Sequence, residues 1–237
     1  MNDLSSGIES LQLSSRSVEE TKIIRKNHAF LRDVLLFAPE FGSWKNQTFD
    51  KPFHLVLGKF PSVNERFDGT MRLRNYTVQN VVRVENPFLL AQYYLKKIQI
   101  EKRNATVGEK KYFHGTKGHN VVPICLNNFN WRKVVTGKFG HGISFSPRSD
   151  YSRHSCSFMF NLEKSEIKKY LFAYDNEISD YYYAMFYVKV LQGNEHYGSH
   201  HTFVPNPGYD TTTNGKGTVY VKYEDAEFYP EYIVLMT

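Results

Sequence analysis

The spacing of apolar positions predicts helices ahead of a run of strands. Ile23, Ile24, Phe30, Leu31, Val34 and Leu35 recur at helical intervals, and Ser17 with Glu20 has capping-box spacing, so Ser17 to Leu36 reads as an amphipathic helix. The Ser-rich first fifteen residues read as a disordered end. Pro39 and the stretch Phe41-Gly42-Ser43-Trp44 stop the helix, which divides the chain into an extension over 1–43 and a main domain over 44–237. Asn86 before Pro87 predicts a second helix, a capping side chain followed by a residue whose fixed φ suits the first turn. Leu90, Tyr94 and Ile98 continue it to the polar stretch Glu101 to Lys111, and Val121 to Asn127 reads as a short third helix. Runs rich in β-branched and aromatic residues predict strands at Lys111-Tyr112-Phe113, Gly142 to Phe145, Tyr183 to Leu191, Thr218 to Tyr223 and Tyr232 to Met236. Helices early and strands late define an α+β class.

Composition supports a packed core: 41% of the 237 residues are apolar and 16% aromatic, which excludes wholesale disorder. No run of about 18 apolar residues occurs and the start lacks the basic-then-apolar order of a signal peptide. The expected location is nuclear or cytoplasmic, with no secretion and no membrane partner. Cys125 and Cys156 are then free thiols, and the N-x-[ST] matches at Asn46, Asn75 and Asn104 are fortuitous. The net charge of +6 arises downstream of residue 45, since residues 1–45 hold six basic and six acidic side chains. The basic residues form no block, so the charge suits a phosphate-bearing ligand as well as it suits solubility, and no nucleic-acid partner is expected through this domain.

Several chemistries lose support at once. The chain has no G-x-G-x-x-G, P-loop, H-E-x-x-H or G-x-S-x-G motif. His196, His200 and His201 cluster without a spaced Cys or carboxylate set, so they read as solvated loop residues and no metal is expected.

What remains is an ordered string: Tyr112-Phe113-His114-Gly115-Thr116, Asn128-Phe129-Asn130-Trp131-Arg132, Phe139-Gly140-His141-Gly142-Ile143-Ser144-Phe145, and Asp150-Tyr151-Ser152. Singly, each reads as a turn or a core position. Together they resemble the PARP-like, diphtheria-toxin-type ADP-ribosyltransferases, and within them the mono-ADP-ribosylating branch that includes WWE and CCCH zinc-finger relatives. The likeness extends through Asn86, Leu89, Tyr93 and Lys96, through Met185-Phe186 to Leu191 and Gly193, and to Tyr229-Pro230-Glu231-Tyr232, covering roughly Trp44 to Thr237.

The resemblance implies antiparallel and mixed sheets around an NAD crevice with flanking helices. NAD would be the substrate, and one ADP-ribose would pass to a protein acceptor. Nicotinamide would leave through an oxocarbenium-like ribose, so the protein chiefly positions groups and stabilises charge. By resemblance His114 would hydrogen-bond the adenosine-side ribose, Gly115 would hold the nicotinamide amide through its backbone, and Ser152 would support that amide. Three positions depart from the pattern. Ser144 and Ser155 stand where the family has tyrosines that wall the nicotinamide, and His141 stands where it has lysine. Each lost ring is worth about 1–3 kcal/mol by analogy with base stacking, together roughly 30-fold to 10⁴-fold in NAD affinity. Tyr151 and the run Tyr181-Tyr182-Tyr183 are candidate replacement rings.

The third member of the family's His-Tyr-Glu triad falls in Pro230-Glu231-Tyr232-Ile233-Val234. Two registers are open. One puts Glu231 at the catalytic position, as in polymerising members; the favoured one puts Ile233 there, as in mono-transferring members. Strand alternation would place Glu231 and Ile233 on one face. The leading expectation is a mono-ADP-ribosyltransferase, and the alternative is a scaffold that keeps the fold with weak or no NAD use.

Overall fold

The computed structural model describes residues 28–72, 76–103, 107–135, 137–161, 166–172 and 181–237. Helix α1 is seen over 28–35; the capping box at Ser17 and Glu20, the Ser-rich start and the sites at Asn75 and Asn104 lie outside the described residues. Asn46 is fully buried and donates to the Glu85 carbonyl. The next elements are β1 (His54–Gly58), α2 (Pro61–Asp68), β2 (Val78–Glu85) and α3 (Pro87–Lys102). They are followed by β3 (Gly108–Gly115), α4 (Val121–Asn127), β4 (Ile143–Phe145) and α5 (Ser149–Arg153). Last come β5 (Tyr183–Gln192), β6 (Glu195–Tyr197), β7 (Thr211–Thr213), β8 (Tyr220–Lys222) and β9 (Phe228–Met236).

The class is α+β as the sequence implies, but strands are not confined to its later part. An antiparallel pair of β1 and β2, connected through α2, precedes α3, and the polar stretch after α3 opens β3 already at Gly108. α3 starts where Asn86 predicts it: the Asn86 side chain accepts from the Phe88 and Leu89 amides, two donors that no earlier turn can satisfy.

One sheet runs β1-β2-β9-β5-β3, all antiparallel, so β9 lies at its centre. The second runs β4-β8-β7-β6, with β6 and β7 parallel. One face of the larger sheet carries Ala184, Phe186, Val188 and Val190 of β5 with Ile233 and Leu235 of β9, packed on α4 and β4. Its other face carries Met185, Tyr187 and Val234 against α2, while Leu191 and Tyr229 meet α3. Leu31, Val34, Leu35, Ala38, Phe41 and Trp44 bury into that same α3 cluster.

Candidate active site

His114 and Gly115 end β3. In register, His114 faces Phe186 on β5, and Phe186 faces Ile233 on β9. At about 4.8 Å between strands, His114 and Ile233 stand roughly 10 Å apart in one row. The His114 ring meets Phe129 edge-on at 4.7 Å and Phe145 at 5.7 Å. This aromatic surround withholds water from the imidazolium and lowers its pKa to about 4, with the Ser144 carbonyl working against the shift. The ring is therefore neutral at pH 7. Its Nδ1 lies 2.9 Å from the Ser144 carbonyl, an acceptor, so Nδ1 carries the proton and Nε2 is left with a lone pair.

Phe129 owes its place to Asn128, whose backbone takes φ of 66° at the end of α4. With ψ of −179° this is a conformation that residues other than glycine rarely adopt, so the surrounding contacts must hold it. The Asn128 side chain donates to the Asp225 and Phe228 carbonyls at 2.8 and 2.9 Å, tying the turn to the entry of β9. A cavity of about 640 Å³ opens beside His114, with Lys117, Asn130 and Arg132 on its wall. Its size is that of an organic ligand site.

Gly115 packs on α5: a Cβ there would overlap the Ser152 carbonyl oxygen and crowd Cys156 Sγ. Ser152 is buried, and its hydroxyl donates to the Phe113 carbonyl at 3.1 Å. The structure thus brings His114, Gly115, Ser144 and Ser152 together. Ser144 reaches the cluster through its carbonyl, and its side chain is exposed, as is Ser155 after α5. The Tyr151 ring lines a separate cavity of about 190 Å³ with Arg148, Asp150, His154 and Thr218. Both cysteines are free and buried; burial pushes the Cys156 thiol up to about 11. Among the described residues no group of His, Cys, Asp and Glu is arranged to hold a metal ion.

Glu231 and Ile233 do not share a face. The pairing of β5 with β9 shifts between Tyr187 and Val188, which leaves Glu231 without an opposite residue. This bulge reverses the alternation. Ile233, wholly buried, stays in the His114 row, whereas the Glu231 carboxylate pairs with Lys111 Nζ at 2.7 Å. Lys111 alternates with Tyr112 and lies on the sheet face opposite His114, beside the buried Lys189 that binds Glu40 at 2.7 Å. Burial raises the Glu231 pKa, and the lysine works against that shift. Pro230 in a central strand is compatible with a bulge, but sequence spacing could not show which way Glu231 turns. The packing of Phe129 and Phe145 on His114, with Phe228 behind them, was equally hidden, because each ring taken singly reads as ordinary core.

The profile of the poly(ADP-ribose) polymerase catalytic domain matches residues 59–218, and the chain belongs to that family. Among curated proteins it is 31% identical over 171 residues to the protein mono-ADP-ribosyltransferase PARP12 of Mus musculus, covering 67% of this chain and 21% of that protein. It is 27% identical over 191 residues to PARP14 of Homo sapiens, covering 74% and 9%. To PARP11 of Mus musculus it is 26% identical over 211 residues, covering 81% and 62%; both are likewise named protein mono-ADP-ribosyltransferases. The chain thus spans only a fraction of the relatives it matches. The profile match takes in His114, Ser144, Ser152 and Ser155 and ends before β9.

Proposed function

We propose that the chain transfers one ADP-ribose from NAD to a protein side chain and releases nicotinamide. The neutral His114 offers its Nε2 lone pair to a ribose hydroxyl in the adjoining cavity. Gly115 and Ser152 form the amide-holding wall, which stays narrow because no side chain separates them. As the C–N bond to nicotinamide breaks, positive charge grows on the ribose. A site of this kind accelerates the step by holding the sugar and leaving group in reactive geometry.

The observation that carries the reading is the row His114, Phe186, Ile233, with Glu231 turned to Lys111. Chain elongation needs a carboxylate within hydrogen-bond reach of an acceptor ribose hydroxyl. An isoleucine at that place supports single transfer. Incubation with labelled NAD tests this: a single added ADP-ribose and free nicotinamide are expected, unchanged in Glu231→Gln. Ladders of product that vanish in Glu231→Gln would make Glu231 the catalytic carboxylate.

The second reading, a scaffold with weak or no NAD use, draws on Ser144 and Ser155, which present no ring where the family pattern has two. Calorimetry separates the readings. Weak but measurable heat with NAD is expected, and none at millimolar ligand would favour the scaffold.

A further inference from the structure

α5 has five residues, too few to hold its own shape, so its neighbours must fix it. Ser149 Oγ donates to the Phe67 carbonyl at 2.8 Å, and Arg153 Nη1 to the Cys156 carbonyl at 2.8 Å. Arg153 is unusual among the basic residues. It is only 8% exposed, its Nε makes no hydrogen bond, and among the described residues no carboxylate pairs with it. Its guanidinium carbon instead lies 4.0 Å from the centroid of the Tyr76 ring and 3.9 Å from that of Tyr183. These rings stand 6.3 Å apart at 80° and form a corner between the approach to β2 and the first residue of β5. With no carboxylate beside it among the described residues, this desolvated guanidinium is held by the negative ring faces and the Cys156 carbonyl. Because both rings sit on strands of the large sheet or at their entry, the corner fixes how α5 is rotated over β3. Ser152 is the neighbouring residue on α5, and its carbonyl covers Gly115.

We propose that Arg153 is a positioning residue: seated between Tyr76 and Tyr183, it orients α5 and through it the Ser152 wall of the crevice. This rests on the NAD reading for its functional consequence, but the orientation of α5 has a readout of its own. Cys156 Sγ lies 3.7 Å from the Ser152 carbonyl and is buried in the cluster with Phe67 and Phe113 against which Tyr183 packs, whereas Cys125 sits in the core under the other face of the sheet. Maleimide labelling of the full chain therefore reports α5 at Cys156 and global folding at Cys125.

Arg153→Met and Tyr183→Leu are expected to speed Cys156 labelling by about 10-fold with Cys125 still protected, and to weaken a benzamide-type nicotinamide mimic by about 10-fold, the scale of one desolvated cation–ring contact. Arg153→Lys should fall between, since the flat fork is lost and the charge kept. Tyr183→Phe keeps the ring face and should match the unchanged protein in both assays. Unchanged Cys156 labelling and mimic affinity in Arg153→Met would overturn the proposal, as would a Tyr183→Phe loss equal to that of Tyr183→Leu. If the unchanged protein does not bind the mimic, the NAD reading fails and labelling alone decides the orientation of α5. If Arg153→Met unfolds, Cys125 labels as fast as Cys156, and the decision passes to Arg153→Lys.

Discussion

His114 stays neutral in the fold because Phe129 and Phe145 surround it, and that has a pH consequence. The folded ring takes up a proton near pH 4, while the ordinary value is 6.5. Between these values the unfolded chain holds more protons, so acid favours unfolding. The contribution of His114 to stability is complete above pH 6.5 and is lost as pH falls to about 4. His114→Asn should flatten the acid limb of a stability-against-pH curve measured by urea unfolding, relative to the unchanged protein. Gly115→Ala should cost about 1–3 kcal/mol, because the new Cβ meets backbone rather than a movable side chain; thermal unfolding checks it. Ser144→Tyr with Ser155→Tyr should raise NAD affinity by at least about 10-fold, measured by calorimetry; unchanged affinity would mean these positions do not wall the nicotinamide. The family string singled out His114, Gly115 and Ser152, which the fold places side by side. The corner around Arg153 was not legible, since Tyr76 is remote in sequence from the run that contains Tyr183 and nothing in the spacing pairs the two rings with Arg153.

Capping chemistry is local, so α3 could be placed from Asn86 and Pro87, and α4 from its apolar run and asparagine end. β2 escaped notice because Gln79, Asn80 and Arg83 interrupt its apolar residues, and β6 and β7 because three residues carry no period. The bulge in β9 escaped for a different reason: it is set by pairing with β5 and not by the residues of β9 alone. Its charged side is an element-level tie. Lys189 on β5 binds Glu40 from the α1 segment at 2.7 Å and Glu109 on β3 at 3.4 Å, and donates to the Tyr94 hydroxyl on α3 at 3.2 Å. Lys189→Met leaves Glu40 with only the Tyr94 hydroxyl and Glu109 with Lys97 and the Tyr93 hydroxyl, so Glu40 loses its cation at a buried site, and the change should destabilise by about 3 kcal/mol, read from denaturant midpoints. Glu40→Gln retains a hydrogen-bonding group and should lose less.

At the scale of the molecule, residues 28–43 are not an appendage. Leu35 and Phe41 are buried with Leu90 and Tyr93 of α3. Burying a large apolar side chain is worth about 1.5–3 kcal/mol, so a chain begun at Trp44 forfeits about 3–6 kcal/mol from these two alone. That is a large part of an ordinary domain's 5–15 kcal/mol, and such a chain should melt well below the longer one or precipitate.

The order β1-β2-β9-β5-β3 also sets a schedule for synthesis. β9 is the last of the described strands to leave the ribosome, yet it is the one that both β2 and β5 need as a neighbour. Until it emerges, the β1–β2 pair and the β3–β5 pair each present an open edge of unpaired amides, the kind that invites pairing with another chain. Sheet closure is therefore a late, long-range event, slow by its topology, and the nascent protein depends on chaperone shelter over that interval more than a domain built from sequence-adjacent strands does.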